Sequence, residues 1–296
     1  MNAQEWVRDN TIHEIIGGSK LYGTNRPDSD TDIRGVCMMP KMALVGITPF
    51  EQYIENNDCG DITIYGLNKF VLLAVNANPN IMDILFAPLR VWLVSNGYWE
   101  RMYAIRHMFL SKRIRHTFTG YAYSQLKRLE GHYQWLKNPP TGEPVLDEYG
   151  GMLVTSSKGG QEKVFGKQSD LEKYESAARH WRQYQKWLAE RNPARAALEE
   201  RYGYDTKHAA HLVRLLLKAR SILRTEDYNP ILEGEELDTV ICVLNGGWEY
   251  ERLVQWAGSM DDEVRSIYSR LPNSPYKNDI ERVLASINIE WLKEIG

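Results

Sequence analysis

Residues Gly17–Asp32 read GGSKLYGTNRPDSDTD: two glycines, a hydroxyl, a short spacer, then two aspartates in the spacing Asp30-x-Asp32. Side chains two apart on a strand point to the same face, so these carboxylates converge on one place. Such a pair repels itself unless a cation lies between its members. With no Cys or His in the stretch, hard oxygen donors favour Mg²⁺, or Mn²⁺, over zinc. Upstream, His13–Ile16 reads as a short strand, and Gly17-Gly18 as a tight turn permitting close backbone approach. Ser19 then opens a short helix whose N–H groups and hydroxyl suit phosphate oxygens. The loop Asn25–Ser29, with Pro27, closes the excursion, and Asp30–Met39 returns as a strand. Taken alone, SDTD is an ordinary solvated turn. Glycines, hydroxyl and both carboxylates in fixed order within sixteen residues point instead to a triphosphate held on a divalent cation.

This arrangement resembles the DNA polymerase beta-like nucleotidyltransferases, whose signature is Gly-Ser, a spacer, then Asp-x-Asp or Asp-x-Glu. The matching residues are Gly18, Ser19, Asp30 and Asp32. The longer string GSKLYGTNRPDSDTDIRGV, with DITIYGLNKF, NPNIMDILF and, further on, YDTKHAAHLVRLL at Tyr204–Leu216, is similar to the branch associated with RNA repair operons and bacteriophage genomes. The resemblance implies an α+β chain: a small mixed-sheet catalytic domain over residues 1–105, then a mainly helical substrate- and nucleotide-binding domain over 106–296. It also implies a third carboxylate on a later strand. In Asp61–Tyr65, Ile62 and Ile64 alternate with Asp61, Thr63 and Tyr65, so one face can be core while Asp61 faces the metal site. Glu51, Glu55 and Asp58 are its rivals. None sits on so clean an alternation, and Asp58 beside Cys59-Gly60 reads as a turn.

The reaction so implied is transfer of a nucleoside monophosphate from an NTP to an acceptor hydroxyl, with pyrophosphate leaving. Asp30, Asp32 and Asp61 are the candidate catalytic and metal-binding residues. Gly18, Ser19 and Lys20 are candidates for the phosphates. From across the cleft, Lys207, His211, Arg214 and Lys218 form one stripe of a helix expected over Asp205–Leu223, opposite an apolar face of Leu212, Leu215, Leu216, Ala219, Ile222 and Leu223. That stripe suits the β and γ phosphates or the leaving pyrophosphate. The competing reading is a solvated basic face. Arg26 and Tyr22 flank the turn as weaker candidates. Tyr121, Tyr123, Tyr133 and Trp135, interleaved with Lys127 and Arg128, either stack RNA bases or pack as core.

After Asp61 the pattern turns helical over Tyr65–Asn76 and Ile81–Phe86, then over Arg101–Leu136 and Ser169–Ala189, with a Pro- and Gly-rich break at 138–166. The chain has 296 residues and a net charge of −3, unevenly spread. Lys and Arg number 8 against 12 Asp and Glu over 1–105, 22 against 12 over 106–225, and 6 against 15 over 226–296. The basic middle block suits RNA or a tRNA-like end, and equally suits solvated helix surfaces. Three cysteines (Cys37, Cys59, Cys242) lack metal spacing and are expected reduced. Nothing reads as a membrane span or secretory signal, so a cytoplasmic protein of a bacterium or phage-infected host is expected. The acceptor remains open between RNA and a protein or small molecule, as in AMP-transferring antitoxins. A non-catalytic binder is disfavoured, since it has no need of self-repelling carboxylates.

Overall fold

The computed structural model of the chain describes residues 3–27, 29–57, 60–156 and 160–295. Asp58 and Cys59, weighed above, lie outside them. In chain order the elements are α1 (Ala3–Asn10), β1 (Thr11–Ile16), α2 (Gly18–Tyr22), β2 (Ile33–Cys37), α3 (Lys41–Val45), β3 (Gln52–Asn57), β4 (Gly60–Gly66), α4 (Leu67–Val75), α5 (Pro79–Leu85), β5 (Trp92–Ser95), α6 (Gly97–Ala104) and α7 (Ile114–Lys137). There follow β6 (Gly151–Thr155), β7 (Gln161–Phe165), α8 (Gln168–Glu190), α9 (Pro193–Tyr202), α10 (Thr206–Thr225), α11 (Gly234–Leu244), α12 (Tyr250–Ser266) and α13 (Lys277–Glu294). The expected α+β class holds.

Five strands form a mixed sheet in the order β3-β4-β2-β1-β5, with β2 and β4 parallel and the other neighbours antiparallel. Paired residues share a face. His13 pairs with Val36 and Ile15 with Arg34, while Arg34 and Val36 pair with Thr63 and Tyr65, so all six lie on one side. That side is covered by helices: Trp99 of α6 stacks on His13 at 3.9 Å, and Phe70 of α4 meets Trp99 edge-on. The other side is covered by α1, where Val7 packs with Cys37 and Ile64 and with the flanking Ile33, Phe50, Tyr53 and Ile62. Asn78 and Asn96 cap α5 and α6 by accepting from the next free backbone N–H groups.

The packing groups the chain differently from a division at residue 105. One compact unit is Met1–Leu126 with His208–Gly296, and the other is Lys127–Lys207. The reason lies in α10, whose residues Leu212–Ala219 are all buried, which makes it a core helix of the first unit rather than part of a separate domain. The Pro- and Gly-rich break forms the β6–β7 hairpin. In this second unit Trp135 packs against Trp187 and Tyr184, and Arg191 lies over Trp187 at 4.6 Å. Buried Glu199 accepts from Arg191 at 2.6 Å and lies 3.1 Å from His132. Trp135 is thus a half-buried member of an aromatic cluster within that unit. No helix among the described residues is long and apolar enough to cross a membrane.

Candidate active site

The turn after β1 is tied to the Asp-x-Asp segment by its backbone: the Gly17 N–H donates to the Asp32 carbonyl at 2.8 Å. Gly18 has φ +59°, and a Cβ there would lie 1.9 Å from Asp32 Oδ2. Only glycine lets the carboxylate lie against the turn, which is the physical content of the Gly-Ser signature. Ser19 follows in the first turn of α2. The Lys20 ammonium donates to the Thr31 hydroxyl, between the two aspartates.

The same close approach brings in β4. At Gly60, φ is +140° and a Cβ would meet the Thr31 carbonyl at 2.2 Å. Ile33 pairs with Ile62, and one residue earlier stand Asp32, just before β2, and Asp61, on β4. Asp61 is exposed and alternates with Thr63 and Tyr65, as the sequence pattern anticipated. Glu55 pairs with Ile62, so it occupies the opposite face and accepts from the Tyr53 hydroxyl; Glu51 is paired with Lys69. Asp30 is exposed and Asp32 is partly buried. Arg34 reaches both strands, donating to Asp32 Oδ1 at 3.2 Å and to the Asp61 carbonyl at 2.6 Å.

Beside these groups is a cavity of about 230 Å³ lined by Gly17, Gly18, Tyr22, Arg34, Thr63, Tyr65, Asn80 and Asp83, with Ile15, Leu21 and Ile84 as its apolar part. Its back wall is a buried polar network. Asp83 accepts from the Tyr22 hydroxyl at 2.8 Å, from Arg214 at 3.2 Å and from the Tyr228 hydroxyl. The Arg214 guanidinium lies over the Tyr22 ring at 3.8 Å. Burial opposes the charge on Arg214, and Asp83 together with the Tyr22 and Tyr228 hydroxyls more than offsets that, keeping the guanidinium protonated. Burial raises the Tyr22 and Tyr228 hydroxyls well above their ordinary range.

The phosphate stripe expected on α10 is corrected here. Arg214 and Lys218 are buried; Arg214 is held by Asp83, and Lys218 donates to the Ile231 carbonyl at 2.7 Å and to Glu236 at 3.1 Å. Burial lowers the Lys218 ammonium, with Glu236 partly offsetting it. A stripe at helical spacing fixes which residues share a face, and its buried members Arg214 and Lys218 are held by acids. His211 Nδ1 lies 3.3 Å from Arg214, and Lys207 is exposed. Asp205 caps α10 as expected, accepting from the Lys207 N–H at 2.9 Å. Arg26 is committed to Asn245 at 2.7 Å. Asp83 and Tyr228 escaped the sequence reading. Their signal was an aspartate inside the apolar run NPNIMDILF, which needs a buried partner, and an arginine inside the apolar run of α10 that could supply it.

Residues 2–138 match RlaP, the RNA repair pathway DNA polymerase beta family. Over this span the chain is similar to the polymerase-beta-type nucleotidyltransferases. The match contains the turn, both aspartates of the Asp-x-Asp pair, Asp61 and Asp83. The chain also aligns with the crystal structure of a nucleotidyltransferase-like protein from Exiguobacterium sibiricum, at 8% identity and a TM-score of 0.26, covering 99% of this chain and 79% of that one. A likeness so weak carries no argument. No curated protein matches the chain.

Proposed function

We propose that the protein transfers a nucleoside monophosphate from an NTP to a hydroxyl of an RNA end, releasing pyrophosphate. The observation that carries this is Gly18, a cavity-lining residue, pressed against the Asp32 carboxylate, with Asp61 one residue before the Ile33–Ile62 pair. RNA as acceptor is supported by the RNA repair family matched over 2–138. Such a reaction fits a cytoplasmic setting in which Cys37 and Cys242, both free, stay reduced.

The donor set fits a hard divalent cation, because Asp30, Asp32 and Asp61 offer only carboxylate oxygens. Among the described residues no three acidic, imidazole or thiol groups are already gathered as a metal site. The triad would therefore close as the cation cancels its self-repulsion. Asp30 and Asp32 would hold Mg²⁺ or Mn²⁺ with the triphosphate, and Asp61 would hold it toward the acceptor. Bound there, the cation supplies a lowered pKa for the attacking hydroxyl and charge neutralisation for the leaving pyrophosphate. The chain's own part is positioning: the Gly18-Ser19 backbone, the Ser19 hydroxyl and the Lys20 ammonium orient the β and γ phosphates, and Tyr22 and Tyr65 wall the cavity.

The test is incubation with Mg²⁺, each α-labelled ribonucleoside triphosphate, and host RNA alongside host protein, with Asp30→Ala/Asp32→Ala as control. Label on RNA that vanishes in the control is the expected result, and it names the base. Label on protein alone moves the acceptor to the other class. No label on any acceptor overturns the proposal.

A further inference from the structure

Arg34 stands where the two candidate metal-binding strands meet. Its guanidinium donates to Asp32 Oδ1 at 3.2 Å, to the Ile33 carbonyl at 3.0 Å and to the Asp61 carbonyl at 2.6 Å. The Asp32–Arg34 pair is about one quarter exposed on both sides, so it is neither sealed in the core nor free in water. The other Asp32 oxygen, Oδ2, lies against Gly18. Both oxygens of this carboxylate are therefore engaged, one by a backbone turn that leaves no room for a side chain and one by a movable cation. The Arg34 stem is packed under Gly17, whose added Cβ would lie 2.8 Å from Arg34 Cγ, and the side chain lines the cavity. Its positive charge also bears on the Tyr22 and Tyr65 hydroxyls of the cavity wall.

We infer that Arg34 competes with the divalent cation for Asp32 and, once displaced, turns its guanidinium fork onto the phosphate of the bound nucleotide. The inference rests on the reading of Asp32 as a metal-binding residue. A guanidinium and a divalent cation repel each other, so they do not share one carboxylate oxygen at close range. Displacement costs Arg34 its ion pair with Asp32 and, as the fork turns, its hydrogen bonds to the Ile33 and Asp61 carbonyls, while its stem stays fixed beside Gly17; a phosphate entering the cavity offers the planar fork two charged oxygens in return. The exchange couples the two ligands: cation alone binds against the competition of Arg34, whereas cation with nucleotide binds with its help. A site wired in this way loads metal-nucleotide as a unit and resists metal alone.

The experiment is Mn²⁺ binding in the absence of nucleotide, read as the free-ion signal in electron paramagnetic resonance. It compares the wild type with Arg34→Met, Arg34→Lys and Asp32→Asn, each checked for folding by circular dichroism. Arg34→Met is expected to bind Mn²⁺ alone about fivefold more tightly, the size of one partly exposed ion pair. The same variant is expected to bind a non-hydrolysable α,β-methylene triphosphate with Mn²⁺ about tenfold more weakly, since one charge-assisted contact is gone. Arg34→Lys, which keeps the charge without the fork, should fall between on both measures and stands in if the methionine variant does not fold. A clamp that merely joins the strands would lower Mn²⁺ affinity on removal, and unchanged or weaker Mn²⁺ binding in Arg34→Met overturns the inference while leaving the catalytic reading intact. Equal Mn²⁺ binding by wild type and Asp32→Asn would remove Asp32 from the metal site and overturn both.

Discussion

At Gly18 one missing methyl group decides whether the Asp32 carboxylate can reach the turn. Gly18→Ala places an L residue at positive φ, a strain on the order of 1–3 kcal/mol, and drives its Cβ into Asp32. The chain should fold with a lowered thermal midpoint and lose about a hundredfold in nucleotidyl transfer, the usual cost of misplacing a catalytic group by about an ångström; a rate close to wild type would separate the turn from the chemistry. His13 makes a second residue-scale case. It is buried between Trp92 and Trp99, its Nδ1–H donating to the Val94 carbonyl at 3.0 Å, and burial lowers its pKa to about 3. The folded protein thus keeps His13 neutral where the unfolded chain, with an ordinary pKa near 6.5, takes up a proton. Its contribution is complete above about pH 6.5 and is lost progressively as pH falls toward 3. Between pH 6.5 and 5 the loss from this group is about 2 kcal/mol. Denaturant midpoints should fall more steeply with acid in the wild type than in His13→Phe, which keeps the stacked ring and removes the titration; parallel curves would contradict this. The turn and its aspartates were legible in the sequence because their chemistry is local. His13 was not, since nothing within its strand announces the two tryptophans that bury it.

The buried pair of Asp83 on α5 and Arg214 on α10 joins two elements far apart in sequence. Removing one partner leaves an uncompensated charge, so Asp83→Leu or Arg214→Met should each cost about 3–5 kcal/mol, while the two together should recover much of the loss. Urea unfolding of the four corners of this cycle measures the coupling, and a cost of less than about 1 kcal/mol for either single change would mean that the network is not sealed from water. Periodicity disclosed α4, α5, α8 and α10 to within a few residues, because each carries a clear apolar face. It ran Arg101–Leu136 together, where the chain breaks between α6 and α7. It gave no warning of β3 and β5, edge strands whose exposed, partly polar residues lack a buried alternation. For α10 it found the basic stripe and missed its direction. Leu212–Ala219 are buried all round the helix, a property set by what packs on it rather than by its own spacing.

Across the molecule, the uneven charge of the sequence is resolved by folding. The charged residues of 208–225 are Arg214, Lys218, Arg220 and Arg224, and all four face acids: Asp83, Glu236, Glu236 again and Glu263. Three of those four pairings reach into the acidic last block, so its surplus and this part of the basic block neutralise each other within one unit. In 106–126, Arg115 is tied to the Ile267 carbonyl and Arg106 lies over Tyr103 at 4.0 Å. Residues 127–207 are close to balanced, with 14 Lys and Arg against 12 Asp and Glu. A middle block that reads as a broad basic surface in one dimension is therefore partly neutralised by internal pairing in three. Binding of single-stranded RNA should accordingly depend weakly on salt. Ten free positive charges would give a slope of log K against log salt of about −7, whereas this distribution predicts one no steeper than about −3. Fluorescence anisotropy of a labelled RNA across a KCl titration measures it. A shallow slope means that recognition of the acceptor rests on the shape and hydrogen bonding of its end, and a steep one would mean that the paired arginines open to bind it.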